Sequence, residues 1–297
     1  MVFRRNHGKP VLDLSYLLNT TMQENKPLDW DIFKEMQETQ PLKVVASGLK
    51  RERAFVMDSF SNIKELACCM HASCLLPGVA GPLMNVKLPQ EDGTQTQYTM
   101  TLMNNYNEDG YEPLADALLY EPLPYRSAVA EGATHIVCLR SRPDGVDVTG
   151  KSSIVEKLIL WRFFLRKNSL KKVYEYMRNG FHKRRYGEQV LELNKGANDI
   201  ARPYTNITEP HLLPIAAPPG SAEIGKLETG REVIFEGVRL GFARCYDALV
   251  EDPEQRGKGT EIAREVFPDN ILKYDPLVYT RTNESAYDTY LKHLKNK

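Results

Sequence analysis

The chain has 297 residues and no formal net charge, and its 42% hydrophobic and 26% charged content is that of an ordinary globular protein, which excludes collagen-like, low-complexity and wholly disordered classes. Its longest strongly apolar stretches, such as 158–165, fall far short of the roughly 20 residues that span a bilayer. No apolar signal segment follows Met1, and five cysteines are an odd number, so we expect a cytoplasmic, reducing environment.

In chain order, the first half of the sequence reads as strands alternating with helices. The valine-rich run 42–46 is predicted to be a strand buried on both faces, and a helix capped by Asn62 is predicted over 63–73. A loop is predicted over 104–113, and the apolar run 135–139 is a second candidate for a buried strand. This order of elements is typical of an α/β sheet domain.

Beyond Gly150 the strand signal nearly vanishes and helical patterns dominate. Apolar residues at helical spacing predict a helical region over 154–186 and a final helix over 232–250. Between them, the proline-rich segment 202–220 is predicted to be a loop or linker that crosses the surface. The last thirty residues alternate charges with tyrosines and are expected to form a loosely docked tail.

Positive charge is concentrated between Lys151 and Arg185, where 11 lysines and arginines stand against two glutamates, a net charge of +9. This excess indicates an anionic partner. Two interpretations stay open: a solvated basic helix face whose aromatic neighbours pack on a sheet, or a mixed aromatic and basic surface that rests on anionic lipid headgroups. Nucleic acid is not predicted as a partner, because no nucleic-acid-binding module is recognisable.

Three cysteines and a histidine lie close together on the helix predicted over 63–73 and at its end: Cys68, Cys69, His71 and Cys74. Structural zinc sites usually take two pairs of ligands with a short turn inside each pair, whereas these four side chains are expected to point in several directions. Cysteine as a small apolar core residue is therefore favoured. We predict no metal site and no cofactor.

The serines form no recognisable nucleophile motif. A nucleophile elbow needs glycine two residues before and two residues after the serine, and the sequence contains no Gly-x-Ser-x-Gly. Ser47 ends the first predicted strand, but the two flanking positions hold Val45 and Leu49. Asp116 precedes a proline-bounded turn, and an aspartate in that position is by itself more often a turn former than a catalyst.

Taken together, these segments resemble the C-terminal part of patatin-like phospholipases, in particular a bacterial and plant branch with a helical extension. The resemblance covers nearly the whole chain and is carried by the order and spacing of the matching segments. Those segments are 8–14, 27–30, 43–47, 72–79 and 116–143, followed by 227–231 with Gly237 and Gly241.

The resemblance implies a partial three-layer α/β/α sandwich over 1–150 and a mostly helical extension over 151–297. It also implies a lipid acyl hydrolase that acts on phospholipids or lysophospholipids at a membrane surface, through a Ser-Asp dyad without histidine. Asp116 aligns with the aspartate of that dyad, and its implied role is that of general base. The glycine that follows this aspartate in the family is Ala117 here, a departure from the pattern.

In the family, the serine of the dyad and the glycine-rich oxyanion loop lie upstream of the part that this sequence resembles. We therefore expect the chain to carry the base without the nucleophile and to be inactive by itself, either as a fragment of a longer enzyme or as a degenerate paralogue. The alternative is a non-catalytic lipid-surface binding or scaffold protein that keeps a remnant of the fold. Both interpretations allow peripheral attachment to a membrane.

Overall fold

The computed structural model describes most of the chain and divides it into two compact units. The described residues are 12–25, 27–76, 79–87, 99–101, 110–150, 152–197, 209–225, 228–273 and 295. One unit comprises Met1–Ala133 with Val148–Glu192, and the other comprises Thr134–Asp147 with Leu193–Lys297. Helices and strands both contribute, so the predicted α/β class is confirmed at that level. None of the described helices combines the length and the apolar character needed to cross a membrane.

The first unit contains a five-stranded sheet in which every neighbouring pair is antiparallel. Its strands are β1 (Val44–Gly48), β2 (Arg53–Met57), β3 (Met84–Lys87), β4 (Thr99–Thr101) and β5 (Tyr111–Ala115). They follow the spatial order β2-β1-β5-β3-β4, so β1 and β5 are neighbours inside the sheet. All five residues of β1 are buried, which confirms the burial predicted for 44–46. The prediction is wrong at 42–43, because the strand begins at Val44 and Leu42 is 42% exposed.

Helices of the first unit pack on this sheet and extend its core. They are α1 (Trp30–Thr39), α2 (Ile63–Ser73), α3 (Tyr125–Ala130), α4 (Ile154–Leu160) and α5 (Lys171–Arg178), with π-helical segments Tyr16–Asn25 and Trp161–Lys167, and α6 (Phe181–Ala197) begins in this unit. The bounds predicted for α2 are confirmed, because Asn62 Oδ1 accepts a hydrogen bond from the Glu65 N–H at 3.0 Å. Leu66 and Phe164 belong to one apolar cluster with the sheet.

The loop predicted over 104–113 is wrong at its C-terminal end, because β5 begins at Tyr111 and includes Pro113. Proline lacks the backbone N–H that a residue of a central strand donates to its neighbour, so Pro113 disfavoured a strand at this position. The ladder between β1 and β5 covers only two residue pairs and ends at Leu114, before the proline is reached. The Pro113 carbonyl instead accepts the Leu49 N–H at 2.9 Å. Residues 102–109 lie outside the described residues.

A buried carboxylate joins the turn between β1 and β2 to β5. Glu112 Oε1 accepts the backbone N–H groups of Lys50 at 2.8 Å and Arg51 at 3.0 Å. The carboxylate also lies close to Gly48, where an added Cβ would sit 2.9 Å from the same oxygen. A glycine at position 48 is therefore what lets the carboxylate approach the turn.

The second unit holds a pair of parallel strands, β6 (His135–Leu139) and β7 (His211–Ile215), and two further helices, α7 (Arg231–Leu249) and α8 (Gly259–Val266). The helix predicted over 232–250 is confirmed to within one residue at each end. The surface linker predicted over 202–220 is wrong at β7, where Leu212 and Ile215 are buried. The strand fits in spite of its proline because Leu212, Leu213 and Ile215 are apolar and the strand pairs with β6 along its whole length.

The strand predicted over 135–139 is confirmed, but its predicted burial is wrong. Val137 is 51% exposed and Leu139 is 69% exposed, and both lie on the same face because successive side chains of a strand alternate. Among the described residues, β6 pairs with β7 and with no other strand. Parallel sheets are ordinarily covered on both faces, so this pair is an unusual arrangement.

Candidate functional site

Asp116 directly follows β5 and begins a short 3-10 turn, Ala117–Leu119. Its backbone N–H donates to the Leu75 carbonyl at 3.0 Å, which ties the end of β5 to the end of α2. Its carboxylate Oδ1 accepts the Leu118 N–H at 2.8 Å. The residue therefore caps the turn, as its position in the sequence predicted, and its side chain is held in one orientation at the end of a central strand.

The Asp116 carboxyl group has a raised pKa. Burial is the main cause, because it disfavours the charged form, and the hydrogen bond from the Leu118 N–H acts in the opposite direction. Within the described part of the chain, no lysine, arginine or histidine forms an ion pair with this carboxylate. A carboxylate with a raised pKa is a stronger base than a solvated aspartate, which is the property that a general base needs.

The cysteine cluster contributes one group to the surroundings of Asp116. Cys69 is fully buried, which confirms the predicted role as a small core residue, but Cys74 at the end of α2 is exposed, so the prediction is wrong there. Although Cys74 is exposed as a residue, its thiol is in part surrounded by protein atoms, and this partial loss of solvent raises the pKa of the thiol. The nearby Asp116 carboxylate raises it further. In the described ranges, no group of three or more His, Cys, Asp and Glu side chains is placed to hold a metal ion.

The serines at the end of β1 and at the start of α4 have structural contacts. Ser47 pairs with Ala115, the residue before Asp116, but it is fully buried and its hydroxyl accepts the Tyr120 N–H at 3.3 Å. A nucleophile must be reached by the substrate, so Ser47 does not meet that requirement. Ser153 caps α4 by accepting the Glu156 N–H at 3.1 Å.

The proline-bounded turn that follows Asp116 is held by polar residues that the sequence did not single out. The Glu121 carboxylate accepts the Ser127 N–H at 2.7 Å and the Ser127 hydroxyl at 2.6 Å. The buried Gln189 of α6 accepts the Leu123 N–H at 3.0 Å. These contacts hold the chain after the aspartate in place. No local pattern marks Gln189 in advance, since its partner lies 66 residues earlier in the chain.

Comparisons with protein-family models, with curated proteins and with solved structures find no match to this chain.

Replacing Asp116 by asparagine is expected to raise the melting temperature at pH 7 by a few degrees at most. The amide keeps an oxygen for the Leu118 N–H but carries no charge to be buried. Because the pKa of the Asp116 carboxyl is higher in the folded state than in the unfolded state, the free energy of unfolding of the wild type falls as pH rises through the folded pKa. The melting temperatures of the two proteins should converge near pH 3, where the carboxyl is protonated in both states. Thermal unfolding from pH 3 to pH 8 checks this expectation.

The matched control for this measurement is Asp252→Asn. Asp252 is an exposed cap of the 3-10 turn Pro253–Gln255, and it makes the same type of bond, from the Glu254 N–H to Oδ1 at 2.9 Å. We expect no comparable rise in melting temperature for this variant. A wild type and an Asp116→Asn variant with the same melting temperature at every pH would contradict the assigned effect of burial.

Proposed function

We propose that this chain is the aspartate-bearing part of a lipid acyl hydrolase of the patatin-like class, which cleaves ester bonds of phospholipids or lysophospholipids. The observation that carries the proposal is the half-buried Asp116 carboxylate, fixed at the end of a central strand, with a pKa that burial raises. The serine nucleophile is supplied by polypeptide outside these 297 residues, since the sequence contains no Gly-x-Ser-x-Gly.

The chemistry assigned to Asp116 is proton transfer in both halves of the reaction. The carboxylate takes the proton from the serine hydroxyl while the serine oxygen bonds to the ester carbonyl carbon. The protonated carboxyl then returns that proton to the alkoxide oxygen as the ester C–O bond breaks, which leaves an acyl-serine. In the second half, Asp116 takes a proton from water, the hydroxide attacks the acyl carbon, and the serine oxygen leaves with the proton.

A second, separate observation supports a longer polypeptide. The parallel pair β6 and β7 exposes Val137 and Leu139 on one face, and in the described residues β6 has a single strand partner. Parallel strands usually lie inside larger sheets that are covered on both sides. We assign the missing cover to the strands and the helix that precede and follow the catalytic serine in the proposed enzyme.

The proposal is tested by comparing the 297-residue chain with the chain extended upstream in the gene past the first in-frame Gly-x-Ser-x-Gly, far enough to include the glycine-rich loop and the strands before the serine. The shorter chain is expected neither to hydrolyse a fluorogenic lysophospholipid nor to be labelled by a fluorophosphonate, which reacts with active serines. The extended chain is expected to hydrolyse the ester. In the extended chain, Asp116→Asn should lower kcat by about 100-fold to 10,000-fold, the usual contribution of a general base. Asp252→Asn, which alters an exposed cap, should leave kcat unchanged.

Two results would overturn the hydrolase proposal. One is hydrolysis by the extended chain that survives Asp116→Asn, and the other is a gene with no Gly-x-Ser-x-Gly upstream of these residues. The second result favours the alternative function, a non-catalytic lipid-surface binding or scaffold protein. Ala117, which stands where the family has glycine, is the observation that favours that alternative.

A further inference from the structure

The outward face of α4 is apolar although the helix already buries its opposite face. Ile154 is 86% exposed, Leu158 is 58% exposed and Trp161 is 39% exposed. Residues three or four apart share a face of a helix, so these side chains form one continuous strip. On the opposite side, Leu160 and Phe164 are buried in the core of the first unit. A helix that is apolar on both sides is expected to be covered on both sides.

Basic side chains flank this strip. Lys157, Arg162 and Arg166 are all exposed, and the Arg166 guanidinium carbon lies 5.7 Å from the centre of the Trp161 ring, a cation–π distance. In the part of the chain that the structure describes, no carboxylate forms an ion pair with these three bases. The surface therefore combines apolar side chains at its centre with uncompensated positive charge at its edges.

The acidic side chains near the strip already interact with other residues. Glu156 is the single acidic residue between 152 and 167, and its Oε1 accepts the Ser152 hydroxyl at 2.9 Å and lies 3.8 Å from Lys183 Nζ. The next acidic side chain of the basic segment, Glu175, pairs with Lys171 at 3.9 Å. Neither carboxylate is directed at the three bases that flank the strip.

We infer that the outward face of α4 and of the π-helical segment Trp161–Lys167 binds the surface of an anionic lipid bilayer. Ile154, Leu158 and Trp161 enter the boundary between headgroups and acyl chains, and the three flanking bases contact lipid phosphates and carboxylates. Tryptophan suits that depth, because its ring is apolar and its N–H is polar. This surface adds a membrane contact to the proposed function and does not depend on catalysis.

The positive charge that flanks the strip favours a bilayer over a second copy of the chain as the partner that covers this face. In a twofold dimer the same patch faces itself, so the bases that flank Trp161 in one copy would lie near the same bases of the other copy. Like charges placed together in this way oppose association. An anionic bilayer instead neutralises them, and each base close to the surface strengthens binding by about fivefold.

The inference is tested by sedimenting the 297-residue chain with vesicles of phosphatidylcholine alone or with 30% phosphatidylserine. We expect binding to the anionic vesicles that weakens at 0.5 M salt, and little binding to neutral vesicles. Replacing Ile154, Leu158 and Trp161 by serine should lower affinity at least tenfold. Replacing Lys157, Arg162 and Arg166 by glutamine should lower it about 100-fold and remove the salt dependence.

A matched control changes the charge of the same basic segment at other positions. Lys171 and Lys172 of α5 are exposed and pair with Glu175 and Glu52, at 3.9 Å and 2.9 Å. Replacing both lysines by glutamine should change vesicle affinity by less than about threefold. A loss as large as that caused by the α4 variants would show general attraction of the basic segment and would overturn the assignment to this face.

Insertion depth is measured without altering the face itself. The chain has two tryptophans, so Trp30→Phe leaves Trp161 as the single tryptophan, whose fluorescence is excited selectively over that of the tyrosines. Lipids brominated at shallow acyl positions should quench its fluorescence strongly, and vesicle binding without such quenching would overturn the inference. A dimer in analytical ultracentrifugation that is lost in the serine variant would also overturn it, in favour of a second copy. Vesicle binding by the 297-residue chain, combined with an extended chain that does not hydrolyse the ester, leaves the inference standing and counts only against the proposed enzyme.

Discussion

Replacing Glu112 by alanine is expected to lower the free energy of unfolding of the first unit by about 3 kcal/mol. The carboxylate is fully buried and accepts two backbone N–H groups, those of Lys50 and Arg51. Alanine leaves both donors of this part-buried turn without a protein acceptor, and each unsatisfied buried donor costs about 1–3 kcal/mol. Urea unfolding followed by circular dichroism measures the change.

Two further variants separate the buried hydrogen bonds from other effects of the glutamate. Glu112→Gln keeps an acceptor oxygen and should cost clearly less than alanine. Glu228 accepts the N–H groups of Thr229 at 2.9 Å and Gly230 at 2.7 Å in the same way, but it is exposed, so water replaces the carboxylate. We expect Glu228→Ala to cost under about 0.5 kcal/mol. Equal losses for the two alanine variants would show that burial of Glu112 has no special effect.

Replacing Phe164 by alanine is expected to cost about 4 kcal/mol, the typical loss for a buried phenylalanine. Phe164 is 1% exposed and contacts Phe163 edge to face, with ring centres 5.4 Å apart. The change removes apolar surface from the core and leaves a cavity that the neighbouring side chains fill only in part. Unfolding in urea measures this loss as well.

The control for Phe164 is Trp161, which lies three residues earlier in the same π-helical segment. Trp161 is larger but partly exposed, and Trp161→Ala should cost under about 1.5 kcal/mol because it opens no internal cavity. The pair thus compares the inner and outer faces of one segment. A greater loss of stability for Trp161→Ala than for Phe164→Ala would contradict the burial of Phe164, and it would also weaken the assignment of Trp161 to a bilayer surface.

Elements that local sequence specifies were predicted well. The helix over 63–73 carries its own cap, Asn62, and the cap, the apolar spacing and the helix end are all encoded within a dozen residues. The helix over 232–250 is similar, since its apolar residues recur along nineteen consecutive positions. Burial of β1 was predicted from a short valine-rich run, although a run of this kind does not say whether its neighbours are parallel or antiparallel.

Elements whose stability comes from distant partners were missed. β7 pairs with β6 in a register that begins with His135 and His211, which are 76 residues apart in the chain. No local pattern around Pro214 predicts that pairing. β5 contains Pro113 and is a strand because β1 and β3 flank it. Local propensity therefore argued for a loop, and the ladders formed with distant strands outweighed it.

In the candidate site, too, some features were predictable from local sequence and others depended on distant segments. By itself, the sequence determined that an aspartate stands at position 116 before a turn, that no serine motif accompanies it, and that positive charge gathers between 151 and 185. The tertiary structure decided that the Asp116 carboxylate is half-buried at the end of a central strand, and that α4 presents an apolar face outward. The physical reason is that residue identity and spacing are local, whereas burial depends on which distant segments pack against a residue.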